Sequence, residues 1–210
     1  MAQSTDSLGW IHRIDPGDPE RVVLLLHGTG ADEHSLFPLA EQFAPDATLI
    51  AVRGRSLEEG FPRFFRRFTA VEYDQEHLIS EATALVQFVG DAAAQYEFSA
   101  DAVSAVGYSN GANIALASEL LAPGAFKALA LVRPVQALEH PPEPSLDGLR
   151  VLLAQGARDP FLPYGEALGP FLEGLGADVH DVRVNGGHEL TREDLVLLGE
   201  WWQAGAASEL

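Results

Sequence analysis

Short, uninterrupted apolar runs alternate with stretches of helical periodicity along the whole chain. Val22–His27, Thr48–Val52, Val103–Tyr108, Ala128–Val132 and Val151–Gln155 are apolar at nearly every position, not at every second one. That pattern marks strands covered on both faces, as in a parallel sheet. Val179–Val184 is a sixth candidate, and Ile11–Ile14 reads as an antiparallel edge strand. Helical patterns lie between them over Ser35–Phe43, Asp74–Tyr96, Asn110–Leu121, Tyr164–Leu175 and Thr191–Trp202. In the longest, Leu78, Ala82, Leu85, Val89, Ala92 and Tyr96 recur at three-and-four spacing, which puts them on one face. Thr191, followed by Glu193 and Asp194, supplies an N-cap and an acidic first turn. Strand and helix in regular alternation predict an α/β fold with right-handed crossovers. In such sheets sites form beyond the carboxyl ends of the strands, so the residues at those ends are the ones to inspect.

Composition narrows the setting. A chain of 210 residues suits one compact domain with one sizeable core. The longest apolar runs, such as Val22–Leu26, are about five residues, whereas a spanning helix needs about 20, so no membrane crossing is expected. Met1–Asp6 lacks a basic region and an apolar stretch, which predicts no signal peptide and a cytoplasmic location. The absence of cysteine excludes disulfides, thiolate metal sites and a cysteine nucleophile together. A formal charge of −18 argues against a nucleic-acid or anionic-membrane partner, because phosphates are repelled.

The strand Val103–Tyr108 runs into Gly107-Tyr108-Ser109-Asn110-Gly111, and a helical pattern follows at once. This is G-x-S-x-G at a strand-to-helix turn, the context that makes Ser109 a nucleophile. The turn lifts the hydroxyl above the sheet, and the flanking glycines avoid a Cβ collision with the neighbouring elements. A serine needs a base and the base an orienting acid, in the chain order Ser, Asp or Glu, His. Among the histidines after Ser109, His140 lies in a proline-rich loop and His180 within a strand pattern. His188 follows Asn185-Gly186-Gly187 at the end of the last strand and is the candidate base. Asp159, just past the strand Val151–Gln155, is the candidate acid; Asp147, Asp178 and Asp181 lie before or within strands. The oxyanion donors are expected to be the backbone N–H groups of Asn110 and of Thr29, in His27-Gly28-Thr29-Gly30. His27 itself reads as a structural, hydrogen-bonding histidine beneath that loop. No metal-ligand spacing occurs and no G-x-G-x-x-G opens a helix after the first strand, so neither a metal nor a cofactor is expected.

His27–Glu33, Gly107–Asn113, Asp159-Pro160 and Gly187-His188 together resemble the phospholipase/carboxylesterase family of small α/β-hydrolases. Arg53-Gly54 and Gly60–Arg67 are similar to the bacterial hydroquinone-inducible esterase-like hydrolases within it. The resemblance runs from about His12 to Trp202. It implies an α/β-hydrolase fold, a mostly parallel open sheet with helices on both faces and no large lid. The chain is expected to form one such domain over 1–210, with flexible termini at 1–8 and 204–210. It also implies esterase activity on small esters, a triad of Ser109, Asp159 and His188, oxyanion donors at Thr29 and Asn110, and often a homodimer. A thioesterase or amidase would use the same triad, and a non-catalytic receptor could keep the fold.

Five arginines (Arg53, Arg55, Arg63, Arg66, Arg67) fall within fifteen residues of an acidic chain, and Phe61, Phe64, Phe65 and Phe68 lie among them. No regular pattern explains this segment, and long connections in compact domains are often functional. One expectation is that Gly60–Phe68 covers the site, with Phe61, Phe64 and Phe65 walling a substrate pocket together with Phe161 and Leu162. Arg63 would then hold an anionic substrate group. The other is that the phenylalanines anchor the loop and the arginines pair with surface carboxylates.

Overall fold

In the computed structural model, which describes residues 4–207, nearly every apolar run is a strand and every periodic stretch contains a helix. The strands are β1 (Thr5–Ser7), β2 (Trp10–Asp15), β3 (Asp18–Leu26), β4 (Ala47–Val52), β5 (Ser56–Glu58), β6 (Phe61–Arg63), β7 (Val103–Tyr108), β8 (Ala128–Val132), β9 (Arg150–Gly156) and β10 (Asp178–Val184). The helices are α1 (Phe37–Phe43), α2 (Gln75–Tyr96), α3 (Asn110–Leu121), α4 (Leu168–Gly174) and α5 (Arg192–Ala207). Eight strands form one sheet in the order β1-β2-β4-β3-β7-β8-β9-β10, parallel from β4 to β10.

Alternation along β3 divides the core. Val22, Leu24 and Leu26 face α2, α3 and α4 through Leu78, Leu85, Ile114 and Leu172. Val23 and Leu25 face α1 and α5 through Phe37, Phe43, Leu198 and Trp201. Successive side chains of a strand point to opposite faces, so a run that is apolar at every position needs both layers of helices.

Several elements depart from the sequence pattern for local reasons. The strand β2 is antiparallel to β4 but is not the edge, because β1 pairs on its outer side. The helix expected over Tyr164–Leu175 splits into a 3-10 turn at Leu162–Tyr164 and α4. Pro170 has no N–H to donate, so it is tolerated only in the first turn and the helix begins at Leu168. Of the termini expected to be flexible, Thr5–Ser7 is a strand and α5 continues to Ala207, while residues 1–3 and 208–210 lie outside the described residues.

The Arg/Phe segment is not irregular. β5 and β6 form a two-residue hairpin whose central residues, Glu59 and Gly60, both have positive φ (54° and 81°). That is the turn whose twist matches a hairpin, and Glu59 takes the left-handed conformation without being glycine. Past β6 the chain dives inward. Phe64 is fully buried against Trp10 and His27, at ring-centroid distances of 6.2 and 4.9 Å, and Phe65 is fully buried beside Tyr73 at 5.3 Å. Truncating a fully buried phenylalanine costs about 3–5 kcal/mol. Phe64→Ala should therefore lower the urea unfolding midpoint by a corresponding amount, whereas a residue that merely walled a pocket would leave it nearly unchanged.

Candidate active site

The turn between β7 and α3 sets the position of Ser109. Its backbone sits at φ 52° and ψ −114°, and its N–H is held by the Val132 carbonyl of the adjacent strand at 2.8 Å. A side chain in that conformation is strained. The geometry survives because α3 packs directly over the carboxyl end of β3: a Cβ at Gly111 would fall on the Leu26 carbonyl.

The structure brings Ser109, His188 and Asp159 together from three separate strand ends. Ser109 Oγ is 2.8 Å from His188 Nε2, and His188 Nδ1 is 2.8 Å from Asp159 Oδ2. The second carboxylate oxygen of Asp159 accepts the Phe161 N–H at 2.8 Å, which fixes the carboxylate's orientation. Asp159 is buried, while His188 keeps about a third of its side chain exposed.

Thr29 and Asn110 lie beside Ser109 and line the same cavity of about 210 Å³. Among the described residues neither of their backbone N–H groups has an acceptor within the protein, so both are free to bind an incoming oxygen. The loop carrying Thr29 is braced from several sides. The Gly30 N–H donates to the Pro62 carbonyl at 2.9 Å, and Arg63 Nη1 donates to Thr29 Oγ1 at 2.8 Å. Asn110 Oδ1 accepts the N–H of Phe64, the residue after β6, at 2.7 Å, so the β5–β6 segment ties Asn110 as well as the Thr29 loop. His27 accepts the Gly54 N–H at Nε2 (3.0 Å), which leaves Nδ1 protonated to donate to the Gly28 carbonyl (2.6 Å). Burial pushes its pKa down and keeps it in this neutral form.

Glu33 closes the same loop from below. Arg53 binds its carboxylate through two nitrogens at 2.6 and 2.8 Å, and Ser4 donates to it at 2.5 Å. Burial alone would raise its pKa, but these hydrogen bonds prevail and hold it at about 2.

The pocket expectations divide. Phe161 lines the cavity, its ring 5.1 Å from that of His188. Phe61 is largely exposed and walls a neighbouring recess with Phe68 and Arg67. Phe64 and Phe65 are not pocket walls, because both are sealed in the core. Leu162 opens the 3-10 turn and does not reach the cavity. Arg63 does line it but is 3% exposed and already engaged, by Thr29, by the Phe65 carbonyl and by Glu58 at 3.4 Å.

Sequence reasoning missed Tyr73, Tyr108 and Arg133, which also line the cavity. Tyr73 sits in an irregular connection and left no signal. Tyr108 lies inside the G-x-S-x-G pattern, and its hydroxyl donates to the His188 carbonyl at 3.0 Å. Arg133 follows β8 at the carboxyl end of the sheet, so the rule that found Asp159 could have found it. It takes a left-handed φ of 56° and buries its guanidinium completely. There it pairs with Asp194 through two nitrogens at 2.8 and 2.9 Å, and it donates to the carbonyls of Gly187 (2.8 Å) and Glu189 (3.1 Å), on either side of His188. Asp194 in turn accepts the Thr191 N–H at 2.7 Å, and Thr191 Oγ1 accepts the Asp194 N–H at 3.3 Å, a capping box that starts α5.

Two of these arrangements make predictions. For Glu33, a depressed folded-state pKa means stability that is present above its unfolded pKa of about 4.5 and lost as pH falls toward about 2. Unfolding followed between pH 6 and 2 should show that loss, and Glu33→Gln should flatten it. Removing one partner of a buried pair strands the other charge, at a cost of about 3–5 kcal/mol. Arg133→Met should therefore lower the urea midpoint strongly, and adding Asp194→Leu should recover part of the loss.

No family model matches the chain. It is 36% identical to the hydrolase MhqD of Bacillus subtilis (strain 168) over 194 residues, covering 91% of this chain and 97% of that protein. The carboxylesterase crystal structure from Mesorhizobium loti superposes with a TM-score of 0.92 at 34% identity, covering 97% of this chain and 99% of the other. That of the Bacillus cereus carboxylesterase gives 0.89 at 38% identity, covering 93% and 94%. With this fold and these relatives, the chain belongs to the phospholipase/carboxylesterase family of α/β-hydrolases and is a carboxylesterase-type hydrolase.

Proposed function

We propose that the chain hydrolyses small carboxylic esters through an acyl-enzyme on Ser109. The observation that carries this reading is the continuous hydrogen-bonded line from Ser109 Oγ through His188 to Asp159, with both steps at 2.8 Å. His188 takes the hydroxyl proton as Ser109 attacks the ester carbonyl. Asp159 holds the imidazole in the tautomer that presents Nε2 and stabilises its cationic form. The carbonyl oxygen, now negative, is received by the N–H groups of Thr29 and Asn110, each typically worth about 10²–10³ in rate. His188 then gives its proton to the leaving alcohol. In the second half it deprotonates a water, which attacks the acyl-enzyme and releases the acid and free Ser109. Every proton moves between substrate, water and residues of this chain.

The cavity of about 210 Å³ supports a small substrate, with Phe161, Val135 and Ala70 as its apolar surface. The decisive measurement is labelling by a fluorophosphonate probe together with p-nitrophenyl ester hydrolysis. Wild type should label and turn over, and Ser109→Ala should lose both, with kcat falling by about 10⁵ or more. Folded wild-type protein that neither labels nor cleaves would mark the chain as a receptor. A panel of matched thioesters and amides that outperformed the ester would reassign the reaction class.

A further inference from the structure

The sign of the charge inside the catalytic cavity is opposite to that of the protein. The chain carries 31 acidic and 13 basic residues, yet the cavity is lined by Arg63, Arg67 and Arg133 and by no aspartate or glutamate. The nearest acid in the catalytic line, Asp159, sits behind His188 and faces its Nδ1.

The three arginines are not equivalent. The Arg133 guanidinium is paired with Asp194 and holds the His188 loop. That of Arg63 is buried, binds Thr29 Oγ1 and lies 3.4 Å from Glu58. Arg67 differs from both. Its backbone is pinned, through its N–H to the Glu58 carboxylate at 3.3 and 3.4 Å and through a bridge to Tyr73. Its side chain is exposed and borders both the catalytic cavity and the recess beside Phe61. Among the described residues its guanidinium has no ion-pair or hydrogen-bond partner. A fixed backbone, a free planar fork of donors and a second cation close by in Arg63 make a site for a carboxylate, which a guanidinium binds through two parallel hydrogen bonds. Burial and the proximity of Arg67 lower the Arg63 pKa against the opposing pull of Glu58, so the two cations repel each other even with that carboxylate beside them. An anion would relieve that repulsion.

We propose that the substrate is a small ester bearing a carboxylate, and that Arg67 is the specificity-determining residue that binds it. This rests on Ser109 being the nucleophile. The carboxylate could stand on the acyl or on the alcohol side of the ester, and two matched pairs of substrates distinguish these. Mono-(p-nitrophenyl) glutarate against p-nitrophenyl valerate tests the acyl side. 4-Acetoxybenzoate against its methyl ester tests the alcohol side.

In one pair the wild type should favour the charged ester by about tenfold or more in kcat/KM, the discrimination that one charge-assisted bidentate contact supplies. The advantage should lie mainly in KM and shrink as salt is raised. Arg67→Gln should bring the charged-to-neutral ratio to within about twofold of one, and Arg67→Lys should restore part of it; the unfolding midpoint of each variant checks that it is folded. A wild type that hydrolyses the neutral esters and labels with fluorophosphonate but shows no charged preference in either pair overturns this inference and leaves the hydrolase reading standing. So does a preference that survives in Arg67→Gln. A folded wild type that cleaves none of the four esters and does not label overturns both.

Discussion

The active site depends on one steric constraint, the direct passage of β7 into α3 over the carboxyl end of β3. Ser109 can hold a φ of 52° only because its neighbours leave it no alternative. Its N–H is committed to Val132 on one side, and α3 lies so close to β3 on the other that Gly111 has room for no side chain at all. The same turn that holds the hydroxyl up also leaves the Asn110 N–H, among the described residues, without an acceptor at the first position of the helix, where the helix dipole favours negative charge. The proposed nucleophile and one proposed oxyanion donor therefore share a single backbone path.

Around that turn, the remaining parts of the site are each held from outside their own loop. The loop carrying Thr29 is fastened by the β5–β6 hairpin at Gly30 and Thr29 and by Arg53 at Glu33. The histidine loop is fastened by Arg133 at the carbonyls before and after His188, and by the Tyr108 hydroxyl at the carbonyl of His188 itself. Loops are the mobile part of most folds. Here the His188 loop is held by side chains that donate to its main-chain carbonyls, which leaves the imidazole itself to contact Ser109 and Asp159.

The convergence of Ser109, Asp159 and His188 was legible in the sequence because each stands where a strand ends, and strand ends are visible as the close of an apolar run. The placement of Thr29 and Asn110 beside Ser109 followed from the same turns. The Arg/Phe segment was not legible. Strands of three residues are too short to show a period, and the Glu59-Gly60 turn lacks the usual asparagine or aspartate before its glycine. Composition could not separate Phe61, which faces solvent, from Phe64 and Phe65, which are sealed, because hydrophobicity says that a residue can be buried and not where. Arg133 was missed for a different reason. A charged residue past a strand reads as surface, and its burial is intelligible only once Asp194, sixty-one residues on, is seen beside it.

That last pair separates two uses of arginine in one cavity. Fully neutralised by Asp194 and saturated by carbonyls, Arg133 adds rigidity with little net field. Arg67 adds field without rigidity, because among the described residues its head has no partner. In a chain of formal charge −18 the long-range potential repels anions, so attraction for one must be generated within a few ångströms, where it outweighs the more distant carboxylates. With Arg67 binding a carboxylate as proposed, an acidic exterior around an arginine-lined cleft would favour those anions small enough to enter the cavity and reach that short-range attraction. Size and charge would then select together, by a barrier outside and a contact inside.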